Sequence, residues 1–159
     1  MTDPRPRKQG FTLAELMLSL ALLTFLMVAA GLGIQAAEAS RAYNCEKTDL
    51  STRARGVLDR LSRDVRRAAS FEVPDGRTVV VTMVSGDTHA YAWDGASGGN
   101  VTYTYTPLGG TATSDVLTDG VTAFEVAEAL PALDVRIALA GKLAASEMRI
   151  TATPRKALY

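Results

Sequence analysis

Cysteine is almost missing from this 159-residue sequence: Cys45 is the only one. A single thiol rules out an internal disulfide and any site built from paired cysteines. It leaves an ordinary helix-face residue or a bridge between two molecules. Histidine is as scarce, with His89 alone inside a strand-like run beside Tyr91 and Trp93, where it reads as a surface or packing residue. There is no glycine-rich phosphate loop and no metal-binding helix motif. Ser85-Gly86-Asp87 lacks the flanking glycines of a nucleophile elbow. Asp115 and Asp119 are the nearest approach to a calcium site, and two carboxylates supply a minority of the oxygens that ion needs. Net charge is absent too: 17 basic residues balance 17 acidic ones. Tyr91, Trp93, Tyr103 and Tyr105 have no basic strip interleaved with them. They read as cross-strand packing rather than a stacking surface for nucleic acid, and no nucleic-acid partner is expected. No enzymatic activity and no cofactor are expected.

What the sequence does have is one long apolar run. Phe11 to Ile34 carries a single charged side chain, Glu15. About 20 apolar residues rising 1.5 Å each cross a hydrocarbon core of roughly 30 Å, so this run is long enough to span. It exceeds the apolar centre of an ordinary secretory signal, about 7–15 residues. Arg5, Arg7 and Lys8 precede it against Asp3, which places the leader on the cytoplasmic side. Residues 41 to 67 hold eight basic and four acidic side chains. Basic residues therefore flank both ends of the run, and charge alone orients it weakly. Those residues read as a solvated helix face, or as a contact for acidic neighbours or lipid headgroups. Ala37-Glu38-Ala39 before Ser40 offers a competing reading: a signal peptidase site that would release a soluble β-rich binding domain.

Glu15 is the anomaly in the run. A carboxylate inside a membrane segment is costly unless neutralised or paired. Near a helix start it can also reach the interface or favour the helix dipole. Gly31 and Gly33 interrupt the same segment, each at about 1 kcal/mol of helix propensity relative to Ala. They serve either close packing between membrane helices or a local weak point.

Beyond Ile34 the helical pattern continues. Leu50, Ala54, Val57, Leu58, Leu61, Val65 and Ala68 form a stripe at helical period. Arg53, Arg55, Asp59, Arg60, Arg63, Asp64, Arg66 and Arg67 occupy the other faces. Asp59 and Arg63 stand four apart and are expected to pair. Together these features predict one helix of about 55 residues. After Phe71, Pro74-Asp75-Gly76 signals a turn. Runs rich in Val, Thr, Tyr and Ile follow at Arg77–Val84, Thr88–Trp93, Val101–Thr106, Val121–Ala127, Asp134–Leu139 and Met148–Thr153. The Gly/Ser-rich segment Asp94 to Asn100 reads as a flexible tip. The fold class expected is α+β, with a long N-terminal helix packed on a small antiparallel β-sheet head of four to six strands.

The residues Gly10, Phe11, Thr12, Leu13 and Glu15, after a basic leader and before the apolar helix, resemble the processing site of type IV prepilins and type II secretion pseudopilins position for position. The resemblance implies cleavage after Gly10 by a prepilin peptidase and N-methylation of Phe11. It also implies pairing of Glu15 with the amine of a neighbouring subunit in a filament. Expected partners are the prepilin peptidase, other pilins or pseudopilins, an inner-membrane assembly platform, and membrane lipid before assembly. Leu58 to Ala68 and Leu117 to Val126 are similar to segments of J-type minor pseudopilins and W-type minor pilins. In major pseudopilins calcium binds in C-terminal loops, the role Asp115 and Asp119 would be asked to fill. The implied organisation is a leader at 1–10, a transmembrane and assembly helix at 11–34, its amphipathic continuation at 35–70 and a globular head at 71–159. The subunit would be single-pass in a bacterial inner membrane, with the head on the periplasmic or outer side. Removing the leader leaves 14 basic and 16 acidic residues.

Overall fold

The structure is a computed structural model that describes residues 11–129 and 131–154. Helix α1 spans Leu13–Arg67. Seven strands follow: β1 Ala68–Asp75, β2 Thr78–Met83, β3 Thr88–Trp93, β4 Gly99–Thr106, β5 Thr113–Ala129, β6 Ala132–Ala140 and β7 Ala145–Ala152. The chain divides within α1, between Arg41 and Ala42, into two units.

In the first unit every described side chain is exposed. Leu16, Leu22, Phe25, Leu26, Leu32 and Ile34 all lie open. The segment thus leaves apolar side chains uncovered on every face. The run is long and apolar enough to cross a bilayer.

The second unit is built on the stripe. Leu50, Ala54, Val57, Leu58, Leu61 and Val65 are buried, and Ser62 joins them. They cover one face of a single antiparallel sheet whose strands run in sequence order, β1 to β7. Alternate strand residues complete the core: Val79 and Val81, Tyr91, Val101 and Tyr103, Val121, Phe124 and Val126, and Leu133, Val135, Ile137 and Leu139. The period-two alternation of β6, half-buried then buried from Ala132 to Leu139, is that of a strand with one face on the core.

Several expectations need correction. The head has seven strands, not four to six. The additional one, β1, takes residues 68–75, read from sequence as helix end and turn. Ala68, Ala69, Ser70 and Pro74 carry little strand propensity. Its conformation comes from pairing with β2, Phe71 to Val81 and Glu72 to Val80. β5 starts at Thr113, well before Val121, because a bulge at Gly120 joins two strand segments. Gly120 has φ +69°, and a Cβ there would sit 3.2 Å from the Ala140 carbonyl oxygen. In the connection from β3 to β4 the Asp94 carboxylate accepts hydrogen bonds from Ala96 N at 3.0 Å and Asn100 N at 3.1 Å. Among the described ion pairs Asp59 and Arg63 are absent. The i,i+4 pair on this helix is Asp49 with Arg53, at 2.8 Å.

Candidate functional site

Helix α1 begins at Leu13, and the residue before it caps it. Thr12 N donates to Glu15 Oε2 at 3.0 Å, and the Thr12 hydroxyl donates to the same oxygen at 3.1 Å. In return Glu15 N donates to Thr12 Oγ1 at 3.3 Å. This reciprocal pair is a capping box, spelled Thr-x-x-Glu in the sequence. It satisfies donors that a helix start leaves open and places the carboxylate at the positive end of the helix dipole. Among the described residues Glu15 Oε1 makes no hydrogen bond. The other polar side chains of the run look inward along the backbone: Ser19 Oγ donates to Glu15 O at 2.7 Å and Thr24 Oγ1 to Ala21 O at 2.8 Å. Phe11 is 81 % exposed. Gly10 and the rest of the leader lie outside the described residues. Gly31 and Gly33 sit within the unbroken helix, and a Cβ at either would meet nothing within 4 Å. Cys45 is exposed on the helix face.

The head holds a second cluster that sequence reading missed. The Tyr91 hydroxyl donates to Asp64 Oδ2 at 2.6 Å, and His89 Nδ1 lies 2.9 Å from the same oxygen. The Tyr103 hydroxyl lies 3.1 Å from His89 Nδ1. Burial, and then the hydrogen bond to Asp64, push the Tyr91 hydroxyl well above the usual tyrosine range. The Arg60 guanidinium stands 3.8 Å from the centre of the Tyr103 ring. Burial pulls the Arg60 pKa down, but Tyr103, Tyr91 and Asp64 outweigh it and raise it. Arg60 and Asp64 therefore flank the buried stripe, contrary to the expectation that they face solvent. Register explains the cluster: Tyr91 pairs with Tyr103 and His89 with Tyr105 across β3 and β4. The Thr88–Trp93 and Val101–Thr106 runs hinted at this. Their alignment on residue 64 did not follow from either. The cluster ties the end of α1 to the sheet.

Asp115 and Asp119 do not converge. Asp119 Oδ1 accepts from Arg53 Nη1 at 2.9 Å, while Asp115 pairs in register with Tyr103. Among the described residues no three His, Cys, Asp or Glu side chains gather as metal ligands.

Residues 5–31 match the family model described as the prokaryotic N-terminal methylation motif. Neither a curated protein nor a solved structure matches the chain. The matched segment covers residues 5–10, the capping box and most of the exposed apolar run, and is similar to the N-terminal motif of type IV prepilins and pseudopilins.

Proposed function

We propose that this chain is a minor structural subunit of a type II secretion pseudopilus or a type IV pilus. A prepilin peptidase cuts after Gly10 and Phe11 is methylated on its new amine. The subunit then waits as a single-pass protein of the inner membrane, with its head on the periplasmic or outer side. It joins a filament with other pilins or pseudopilins at an inner-membrane assembly platform. The observation that carries this reading is the methylation motif at residues 5–31 running directly into a helix whose first 29 described residues, 13–41, bury nothing. Glu15 supports it: a carboxylate on a membrane helix needs a partner, and among the described residues its Oε1 makes no hydrogen bond. The minor-subunit reading rests on the similarity of Leu58 to Ala68 and Leu117 to Val126 to J-type pseudopilins and W-type pilins. The role is structural, as in the family.

Mass spectrometry of the membrane-extracted protein tests this. N-methyl-Phe11 is the expected first residue. A chain beginning at Ser40 overturns the proposal in favour of a secreted domain released by signal peptidase.

A further inference from the structure

Glu46 stands one helical turn ahead of the buried stripe. Read back from Leu61 through Val57, Ala54 and Leu50, residue 46 is the next position on the same face of α1. From residue 11 to residue 49 every described side chain is exposed except that of Glu46, which is half-buried. Its carboxylate reaches the turn between β6 and β7. Lys142 N donates to Glu46 Oε1 at 2.6 Å, and Leu143 N donates to Oε2 at 2.8 Å. Two successive backbone N–H groups aimed at one carboxylate form a small anion cradle. The turn is closed by a bond of its own, from Gly141 N to Ala144 O at 2.8 Å. A Cβ on Gly141 would overlap Glu46 Oε1 and the carboxyl carbon behind it. The carboxylate comes this close because residue 141 is glycine.

Nothing apolar backs this contact. Gly141, Lys142 and Leu143 are exposed. Burial resumes at Ala144 on the turn and at Leu50 on the helix. The neighbouring polar side chains turn back to the helix itself: Thr48 Oγ1 donates to Asn44 O at 2.8 Å, and Asp49 pairs with Arg53. Among the described residues, Glu46 is therefore the one side chain of residues 42–49 that bonds to the sheet or its turns.

We propose that Glu46 and the turn at residues 141–143 form a latch. It opens and recloses while the core stays folded, and it sets whether α1 is held to the sheet from residue 46 or only from Leu50. Exposed hydrogen bonds without apolar burial belong to the least stable parts of a fold, whereas Leu50, Ala54 and the paired strands open with the core. Opening the latch uncovers no apolar surface. Water takes the place of the carboxylate at the two N–H groups, and of the N–H groups at the carboxylate. The bond from Gly141 to Ala144 does not involve Glu46, so the turn keeps its shape and the carboxylate returns to a cradle already formed. The latch lies wholly within residues 46–144 and stands apart from the filament reading.

Amide hydrogen exchange of the full-length chain in detergent micelles, read residue by residue by NMR, tests this. Protection of Lys142 and Leu143 should be lost together, and more readily than that of Val135 and Ile137 in β6. Glu46→Ala should speed exchange at Lys142 and Leu143 by about tenfold or more and leave Val135 and Ile137 within about twofold of their original rates. Glu46→Asp keeps the charge but is one methylene shorter, and should speed the same two amides. Gly141→Ala, which puts a methyl group where Glu46 Oε1 stands, should release Leu143 with Glu46 still in place. Unchanged exchange in Glu46→Ala or Gly141→Ala would mean that the carboxylate does not hold the turn, and overturns the proposal. So does full protection in Glu46→Asp, which would reduce the effect to charge. An equal rise at Val135 and Ile137 overturns it as well, because Glu46 would then belong to the core and could not open alone.

Discussion

Asp64, near the end of the long helix, accepts a 2.6 Å hydrogen bond from Tyr91 in the middle of β3. Tyr91 is fully buried. Its hydroxyl has this carboxylate as acceptor, and His89 shares the same oxygen at 2.9 Å. Asp64→Ala would leave a buried hydroxyl without a partner, at about 1–3 kcal/mol. Tyr91→Phe, which removes the hydroxyl and keeps the ring, should cost less in the Asp64→Ala background than alone. A double-mutant cycle on thermal unfolding of the full-length chain in detergent checks this. Additive losses would mean that the two side chains do not interact.

The stripe and its flanks predict a graded series. Leu61 is fully buried, and Leu61→Ala should cost about 2–5 kcal/mol. Arg60→Ala loses the contact over the Tyr103 ring, worth about 0.5–2 kcal/mol. Arg63, exposed on the far side, should change stability by no more than about 0.5 kcal/mol when replaced by Ala. Melting temperatures in the order Leu61→Ala, then Arg60→Ala, then Arg63→Ala, lowest first, are the expected result. Equal losses for Leu61 and Arg63 would contradict the packing of α1 on the sheet.

The capping box separates two roles for Glu15. Thr12→Val removes the hydroxyl that exchanges hydrogen bonds with Glu15 and should fray the first turn, at about 0.5–2 kcal/mol. Faster amide exchange at residues 13–16 would show it. Glu15→Ala loses the cap and the carboxylate together. If the carboxylate serves assembly, Glu15→Ala should still be cleaved and membrane-inserted but fail to join filaments, a defect Thr12→Val, which loses the cap and keeps the carboxylate, does not share. Normal filament assembly by Glu15→Ala would leave the residue as a cap alone.

The outer face of the last strands should respond to acid. The hydrogen bond from Arg149 holds the Asp134 carboxyl below its usual range, and the hydrogen bond from Arg136 does the same for Glu147. Asp75 and Asp87 are lowered as well, first by hydrogen bonds from Thr78 and Ser85. A carboxylate whose pKa falls on folding stabilises the fold above its unfolded pKa and loses that contribution as pH drops through the folded one. The melting temperature should therefore hold from pH 7 to about 5 and decline below about 4, where unfolded carboxylates take up protons first. Asp134→Asn should make the decline shallower. Because Asp75 and Glu147 are exposed and Asp87 and Asp134 are only half-buried, 1 M salt should flatten it further. A melting temperature indifferent to pH between 5 and 2 would remove the ion pairs from the account.

Much of this protein was legible from local pattern. The apolar run with its lone Glu15 and the helical stripe from Leu50 to Ala68 each depend on residues within a few turns of one another. Local spacing therefore suffices to place them. Thr88–Trp93 appears as the strand expected, residue for residue, because β-branched and aromatic residues cluster there with turn residues before them.

Only the tertiary structure decided the rest. β1 is a strand because β2 lies beside it, although Ala68, Ala69 and Pro74 argue otherwise. Gly120 ends no strand because a bulge carries β5 through it. Arg60 and Asp64 turn toward the sheet because Tyr91 and Tyr103, paired across β3 and β4, stand where the helix passes. The open edge of β7 exists only because it is last in the sheet order. The physical reason is common to all four. Membrane length, capping and helical period are properties of one segment and its solvent. Strand pairing, the flank a charged side chain packs on, and the edge a sheet leaves open depend on segments far apart in sequence, whose relative placement no local spacing encodes.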